Sequence, residues 1–316
     1  MNQSTATLLL LSLTLCFLIT PPPAVSAHPA PVTSTQVGAP SHLHGAAVEQ
    51  YPIAGPLPHG HHQFRERALL LLVLAFAILV ILVGGTQGLR TILTVALTAG
   101  AILWVLIPAL LSGRDPVATT ILLSGGITVI TLFSVGGASV KTLAAIAGTT
   151  GGVIVAGIVA VLAGEAVRLS IWELSDAQLL AQLPAGINVN YEGILFSGMI
   201  IGSLGAVMDV GMSISSAISE VKRANPGLGV AQLFASGMNV GRDIMGTMAN
   251  TLILAYTGVT IPLLLMLTAH GTTLRRIVNV ETITAEIIRM LAGSMGLILC
   301  IPITALVSAS LMGFKR

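Results

Sequence analysis

From residue 68 to residue 312 the chain is a succession of apolar stretches of about twenty residues, parted by connections of only a few. At a rise of about 1.5 Å per residue, a helix of that length crosses the roughly 30 Å hydrocarbon layer of a bilayer. Composition closes off the soluble alternative. Charged residues are 8% of the sequence, against about a quarter in a soluble domain, too few to cover a core with polar surface. Hydrophobic residues are 54% and the mean hydropathy is +0.94. The sequence therefore predicts an all-α integral membrane protein, a polytopic helical bundle with the lipid bilayer as its first partner. A net charge of +2 offers no basic face for nucleic acid.

The stretches 68–85, 92–111, 117–136 and 143–164 read as four antiparallel spans. Residues 165–193 are more polar and read as an amphipathic helix in the interface, anchored by Trp172. A fifth span covers 191–220. The long stretch 231–270 is interrupted by Gly258 and Pro262, which divides it into a helix over 231–256 and a short second crossing over 258–268. A last span covers 290–312, so the expected count is about eight. With the N-terminal linker outside, that count places Arg90, Lys141, Lys222, Arg223, Arg275, Arg276 and Arg289 in the cytoplasm. Outside it places Arg65, Arg67, Arg114, Arg168, Lys315 and Arg316, a slight excess in the expected direction.

Ahead of the spans lie two segments of other character. Residues 8–19 form an apolar run too short to span, closed by Pro21-Pro22-Pro23 and followed by Val25-Ser26-Ala27, the pattern of a signal peptide over 1–27 cut before His28. Residues 28–67, rich in Pro and Gly, read as a disordered extracytoplasmic linker. They carry His28, His42, His44, His59, His61 and His62, whose neutral imidazoles could bind zinc, copper or nickel weakly, but no Cys or carboxylate spacing completes a metal site. Cys16 and Cys300 make no disulfide framework. No cofactor is expected.

The chemistry concentrates in two later spans. Over 191–220, Gly198, Gly202, Gly205, Asp209, Ser213, Ser216 and Glu220 follow steps of three and four and share one helical face. Met199, Ile200, Ile201, Leu204 and Val207 occupy the rest, as residues suited to lipid. Over 231–256, Ser236, Asn239, Asp243, Gly246 and Asn250 form a second such stripe with Arg242 beside it. Gly198 and Gly202, like Gly237 and Gly241, have the spacing that lets membrane helices approach closely. A charge in hydrocarbon costs roughly 2.5–3.5 kcal/mol, so Asp209, Arg242 and Asp243 need a reason to be there. Two reasons compete. An Asp209–Arg242 ion pair and amide hydrogen bonds would glue the two helices together. Alternatively, a polar cavity at mid-depth would bind a proton or cation at Asp209 or Asp243, lined by Ser213, Asn239 and Asn250, with Arg242 balancing charge. Catalysis has little support. Asp243 follows Gly241-Arg242 and not Gly-x-Gly, and there is no His-Glu-x-x-His, Gly-x-Ser-x-Gly or phosphate loop. The readings carried forward are a permease-like protein or a structural subunit of a membrane complex. Its partners would be a small solute or ion and either a second copy or another membrane protein.

Three runs of sequence, Gly205-Ala206-Val207-Met208-Asp209-Val210, Gly237-Met238-Asn239-Val240-Gly241-Arg242-Asp243-Ile244-Met245-Gly246 and Asn250-Thr251-Leu252-Ile253-Leu254-Ala255-Tyr256, resemble the YibE/F-like family of bacterial membrane proteins. The resemblance extends over about 68–312. It implies a largely helical protein of the bacterial inner membrane and adds no mechanism. Longer members carry a small folded domain where this chain has only the His- and Pro-rich linker.

Overall fold

The computed structural model describes residues 60–169 and 190–313, with side chains from Glu66 onward. The expected signal peptide, most of the His-rich linker and the interfacial helix around Trp172 lie outside the described residues. Every element is a helix: α1 Gly60–Ala101, a π-helical turn Ile102–Leu106, α2 Ile107–Leu111, α3 Pro116–Gly136, α4 Val140–Val167, α5 Tyr191–Ala224, α6 Val230–Ala269, α7 Leu274–Val278 and α8 Glu281–Gly313. Among the described residues six helical stretches are long and apolar enough to cross a membrane, the first of them Glu66–Leu111.

The expected eight spans stand as six long helical stretches among the described residues, and the boundaries expected inside two of them fare differently. The break expected between the first two is present at Gly85, whose backbone (φ 55°, ψ −129°) is non-helical and parts two helices across a kink. There the chain folds sharply. A Cβ on Gly88 would meet the Val80 carbonyl, whereas a straight helix separates eight residues by about 12 Å. The break expected at Gly258 and Pro262 is absent, since α6 runs unbroken through both. Proline removes one backbone donor, and a long apolar helix tolerates that where its neighbours hold it. Erasing the boundary at Gly258 reverses the side of everything after it relative to everything before, so the charge count built on eight spans no longer applies. The last helix also starts earlier than expected, at Glu281, and draws Glu286 and Arg289 into it.

The described residues divide into two compact units, the first ending at Ile92 and the second the bundle from Leu93. In the first, Leu69 through Leu82 expose apolar side chains on all sides, the character of a helix bathed in lipid. In the second, α4, α5 and α8 form the centre. The sequence of α4 explains why. Ala144, Gly148, Gly152, Ala156, Ala160 and Gly164 recur every fourth residue and are all buried. Lipid tails are as apolar as leucine, so helices in a bilayer associate by close packing, which small residues permit. Gly148 faces Thr304 of α8, Gly152 faces Gly296 and Cys300, and Gly164 faces the Phe196 ring of α5. Hydrogen bonds pin the same contacts: Ser308 Oγ to Ser215 Oγ at 3.1 Å, and Ser215 Oγ to the Lys141 carbonyl at 2.6 Å.

Caps set the helix starts. Asn190 Oδ1 accepts the Gly193 N–H at 3.0 Å to open α5, and Asp115 Oδ1 accepts the Ala118 N–H at 2.7 Å to open α3, with Pro116 at its first position. Asp115→Ala should lower stability by about 1 kcal/mol, read as a drop in thermal midpoint in detergent that Asp115→Asn largely restores. An unchanged midpoint for the alanine variant would show that the cap is dispensable.

Candidate functional site

Both polar stripes form as helical faces, and the structure turns them the opposite way from the expectation. On α5 the buried side comprises Phe196, Ile200, Ser203, Leu204, Val207, Val210, Gly211, Ile214, Ser215 and Ile218. Ile200, Leu204 and Val207, expected to face lipid, are packed in the core, as is Met199. Gly198, Gly202, Gly205, Asp209, Ser213 and Glu220 are exposed, on the far side of the helical wheel. On α6 the inward residues are Leu233, Gly237, Gly241 and Leu252, whereas Asn239, Arg242, Asp243, Gly246 and Asn250 are exposed. Periodicity reveals that a helix has two faces. It does not say which is inside when core and solvent are both apolar.

Contacts between α5 and α6 fix their register. Gly202 meets the Tyr256 hydroxyl, Gly241 meets Ile214, and Gly237 meets Ile218 at 2.5 Å from the position of its missing Cβ. Later residues of α5 meet earlier residues of α6, so the two are antiparallel. Ser213 is then level with Arg242 and Asp243, while Asp209 lies roughly 6–7 Å further along, level with Gly246. The expected Asp209–Arg242 pair does not form. Arg242 Nη1 instead donates to Asn239 Oδ1 on its own helix at 3.1 Å. Among the described residues the ion pairs are Arg223–Glu220 and Arg289–Glu286. Of the glycines expected to pack helices, Gly202, Gly237 and Gly241 do so, and Gly198, Gly205 and Gly246 face open space.

The result is one outer face, built from two adjacent helices, with Asp209, Arg242, Asp243, Asn239, Asn250 and Ser213 near the middle of their length. Its composition contrasts with the outer surface elsewhere. The second half of α6 presents Leu254, Val259, Ile261 and Leu265, and α4 presents Ile158 and Leu162. A carboxylate facing hydrocarbon is too costly to keep, so this face is suited to water, a solute or another protein.

Sequence reasoning missed a second polar group. Arg289 Nη1 donates to Glu286 Oε1 at 2.6 Å, with side chains 23% and 14% exposed. The guanidinium carbon stands 5.7 Å from the centroid of the Tyr256 ring on α6, within cation–π range. Nearby, the Thr257 hydroxyl donates to Met290 Sδ at 3.7 Å. Glu281 Oε2 and Arg289 Nε are buried with no hydrogen-bond partner among the described residues. A signal was available: Glu286 and Arg289 are three apart, flanked by Ile283, Ile287 and Ile288, as in a helix that buries its charges in pairs. No group of three or more His, Cys, Asp or Glu among the described residues could hold a metal ion.

Long apolar helices and a glycine-packed centre define a polytopic helical membrane protein, with one polar face near the middle of α5 and α6. Within that class the chain belongs to the YibE/F-like family, whose description, YibE/F-like protein, matches residues 72–313. It matches no curated protein and no solved structure.

Proposed function

We propose that the chain is a non-catalytic, permease-like protein of the bacterial inner membrane that moves a small solute or ion coupled to a proton or cation. One observation carries this reading: two carboxylates, two amides and an arginine share an open face at mid-depth, without the mutual ion pair that would make them internal glue. Asp209 and Asp243 exchange the proton or cation, Ser213, Asn239 and Asn250 line its path, and Arg242 balances charge. Intramembrane carboxylates in such positions serve as ion sites and proton relays.

The test uses purified protein in liposomes loaded with a pH-sensitive dye, with sodium or potassium gradients imposed. Wild type should move protons in response to one of them, and Asp243→Asn should fall to the level of empty vesicles. Its thermal midpoint in detergent should hold, with stability within about 0.5 kcal/mol, because the side chain is exposed and makes no hydrogen bond or ion pair among the described residues. Flux that survives in both Asp243→Asn and Asp209→Asn would remove the carboxylates from the mechanism. Absence of wild-type flux under every gradient would leave the second reading, a structural subunit whose polar face meets a second copy or another membrane protein. The open Gly198, Gly205 and Gly246 favour that reading, since they would let another helix come close.

A further inference from the structure

One end of the bundle gathers cations that the proposed path does not use. The start of α4, the end of α5 and the end of α8 enclose a cleft of about 380 Å³, lined by Ser139, Lys141, Ser219, Lys222, Arg223, Pro226, Leu311 and Met312, with Val140 beside them. Here the spanning helices stop, so the cleft lies at the level of lipid headgroups. Beside it the Ser215 hydroxyl donates to the Lys141 carbonyl and accepts from Ser308, which ties α4, α5 and α8 together.

The Lys222 ammonium donates to the carbonyls of Pro226 at 2.7 Å and Leu228 at 3.1 Å, which fixes a positive charge on the wall without neutralising it. Arg223 makes an exposed pair with Glu220 at 3.2 Å and keeps further donors. Lys141 has no side-chain partner among the described residues. It stands in the first turn of a 28-residue helix, the positive end of the peptide dipoles. Leu311 and Met312 add apolar surface to the lining.

We propose that this cleft binds a phosphate-bearing anion, held by Lys141, Lys222 and Arg223, with an apolar tail lying along Leu311 and Met312. Basic pockets between membrane helices accept phosphorylated headgroups, and arginine supplies the forked donors that phosphate oxygens match. The same chemistry could come from an anionic phospholipid or from free phosphate, and the apolar part of the lining, Leu311 and Met312, favours the lipid. The site is independent of the transport reading and would stand if no flux were found.

The test is the thermal midpoint of the full chain in neutral detergent, titrated separately with phosphatidylglycerol, phosphatidylcholine and inorganic phosphate. Phosphatidylglycerol should raise the midpoint saturably and phosphatidylcholine should not. In the variant carrying Lys141→Gln and Arg223→Gln, about ten times more phosphatidylglycerol should be needed, whereas Arg114→Gln at the opposite end of α3 should behave as wild type. A saturable rise with inorganic phosphate, lost in the same variant, supports the site and makes phosphate itself the ligand. Equal rises with both lipids, or a response that the double substitution leaves intact, would overturn the proposal. Should the double variant fail to fold, Lys141→Gln alone removes a side chain that makes no hydrogen bond or ion pair among the described residues and should still weaken the response.

Discussion

Replacing Gly152 with leucine should abolish the folded bundle. A Cβ at Gly152 would come within 2.7 Å of the Gly296 carbonyl, 2.8 Å of Val207 Cγ1 and 2.9 Å of Cys300 Cβ. Three helices therefore converge on a position where not even alanine fits. The reciprocal contact is as tight, with the Gly152 carbonyl at 2.6 Å from a Cβ on Gly296. Two of these obstacles are backbone atoms, so no rotamer change relieves them, and α4 and α8 would have to move apart. Overpacking a close-packed site costs about 1–3 kcal/mol where side chains can yield, and more where the backbone must. In a bilayer the loss has no hydrophobic compensation, since separated helices are solvated equally well by lipid. Solubilised Gly152→Leu should run as aggregate on size exclusion. Gly126→Leu, placed on α3 where nothing lies within 4 Å of the new Cβ, should run as wild type. A monodisperse Gly152→Leu protein would show that α4 and α8 are not packed in this way.

That contact was legible in the sequence, although in a form easily discarded. With 34 glycines in the chain, any single four-residue pair is unremarkable. The unbroken series Ala144, Gly148, Gly152, Ala156, Ala160, Gly164 is a stronger signal, because a sustained period marks one whole face. Gly151-Gly152 read in isolation suggests a weak point in a helix, yet α4 passes through it intact. Helical class, membrane setting and the two polar stripes followed from hydropathy and spacing alone, since both depend only on local periodicity. Three things did not follow. Span boundaries at Gly258 and Pro262 depended on how neighbours support a strained turn. The direction of the stripes depended on which apolar face is core and which is lipid. The pairing of Arg242 depended on a register offset of one turn, which only the Gly202–Tyr256, Gly241–Ile214 and Gly237–Ile218 contacts reveal. Lys141, Lys222 and Arg223 show the converse: hydropathy assigned them to the same side, and the fold brings them into one cleft.

Removing Arg289 alone should destabilise the protein far more than removing Arg289 and Glu286 together. In Arg289→Leu the Glu286 carboxylate loses a counter-charge 2.6 Å away, in a setting where it is 14% exposed and surrounded by apolar helices. Breaking one side of a buried pair typically costs about 3–5 kcal/mol, because the remaining charge keeps its desolvation penalty and loses what offset it. The same change strips the cation from the Tyr256 face, 5.7 Å away, where Tyr256 also closes on Gly202 of α5. The consequence should reach beyond α8, loosening the contact through which α6 is held in register. Arg289→Leu with Glu286→Leu leaves no unmatched charge and should recover most of the thermal midpoint, as apolar replacements of buried ion pairs commonly do. The four midpoints form a double-mutant cycle whose interaction term reports the pair directly. An additive cycle, with Arg289→Leu near wild type, would mean that Glu286 reaches water or is protonated without cost, and that the pair does not hold α6 to α8. Strong coupling with a folded double variant would separate stability from function, because vesicle flux could then be measured on a bundle that lacks this pair but keeps Asp209, Arg242 and Asp243. Flux retained there would assign ion handling to the outer face of α5 and α6, and flux lost would assign a share of it to the charges at the start of α8.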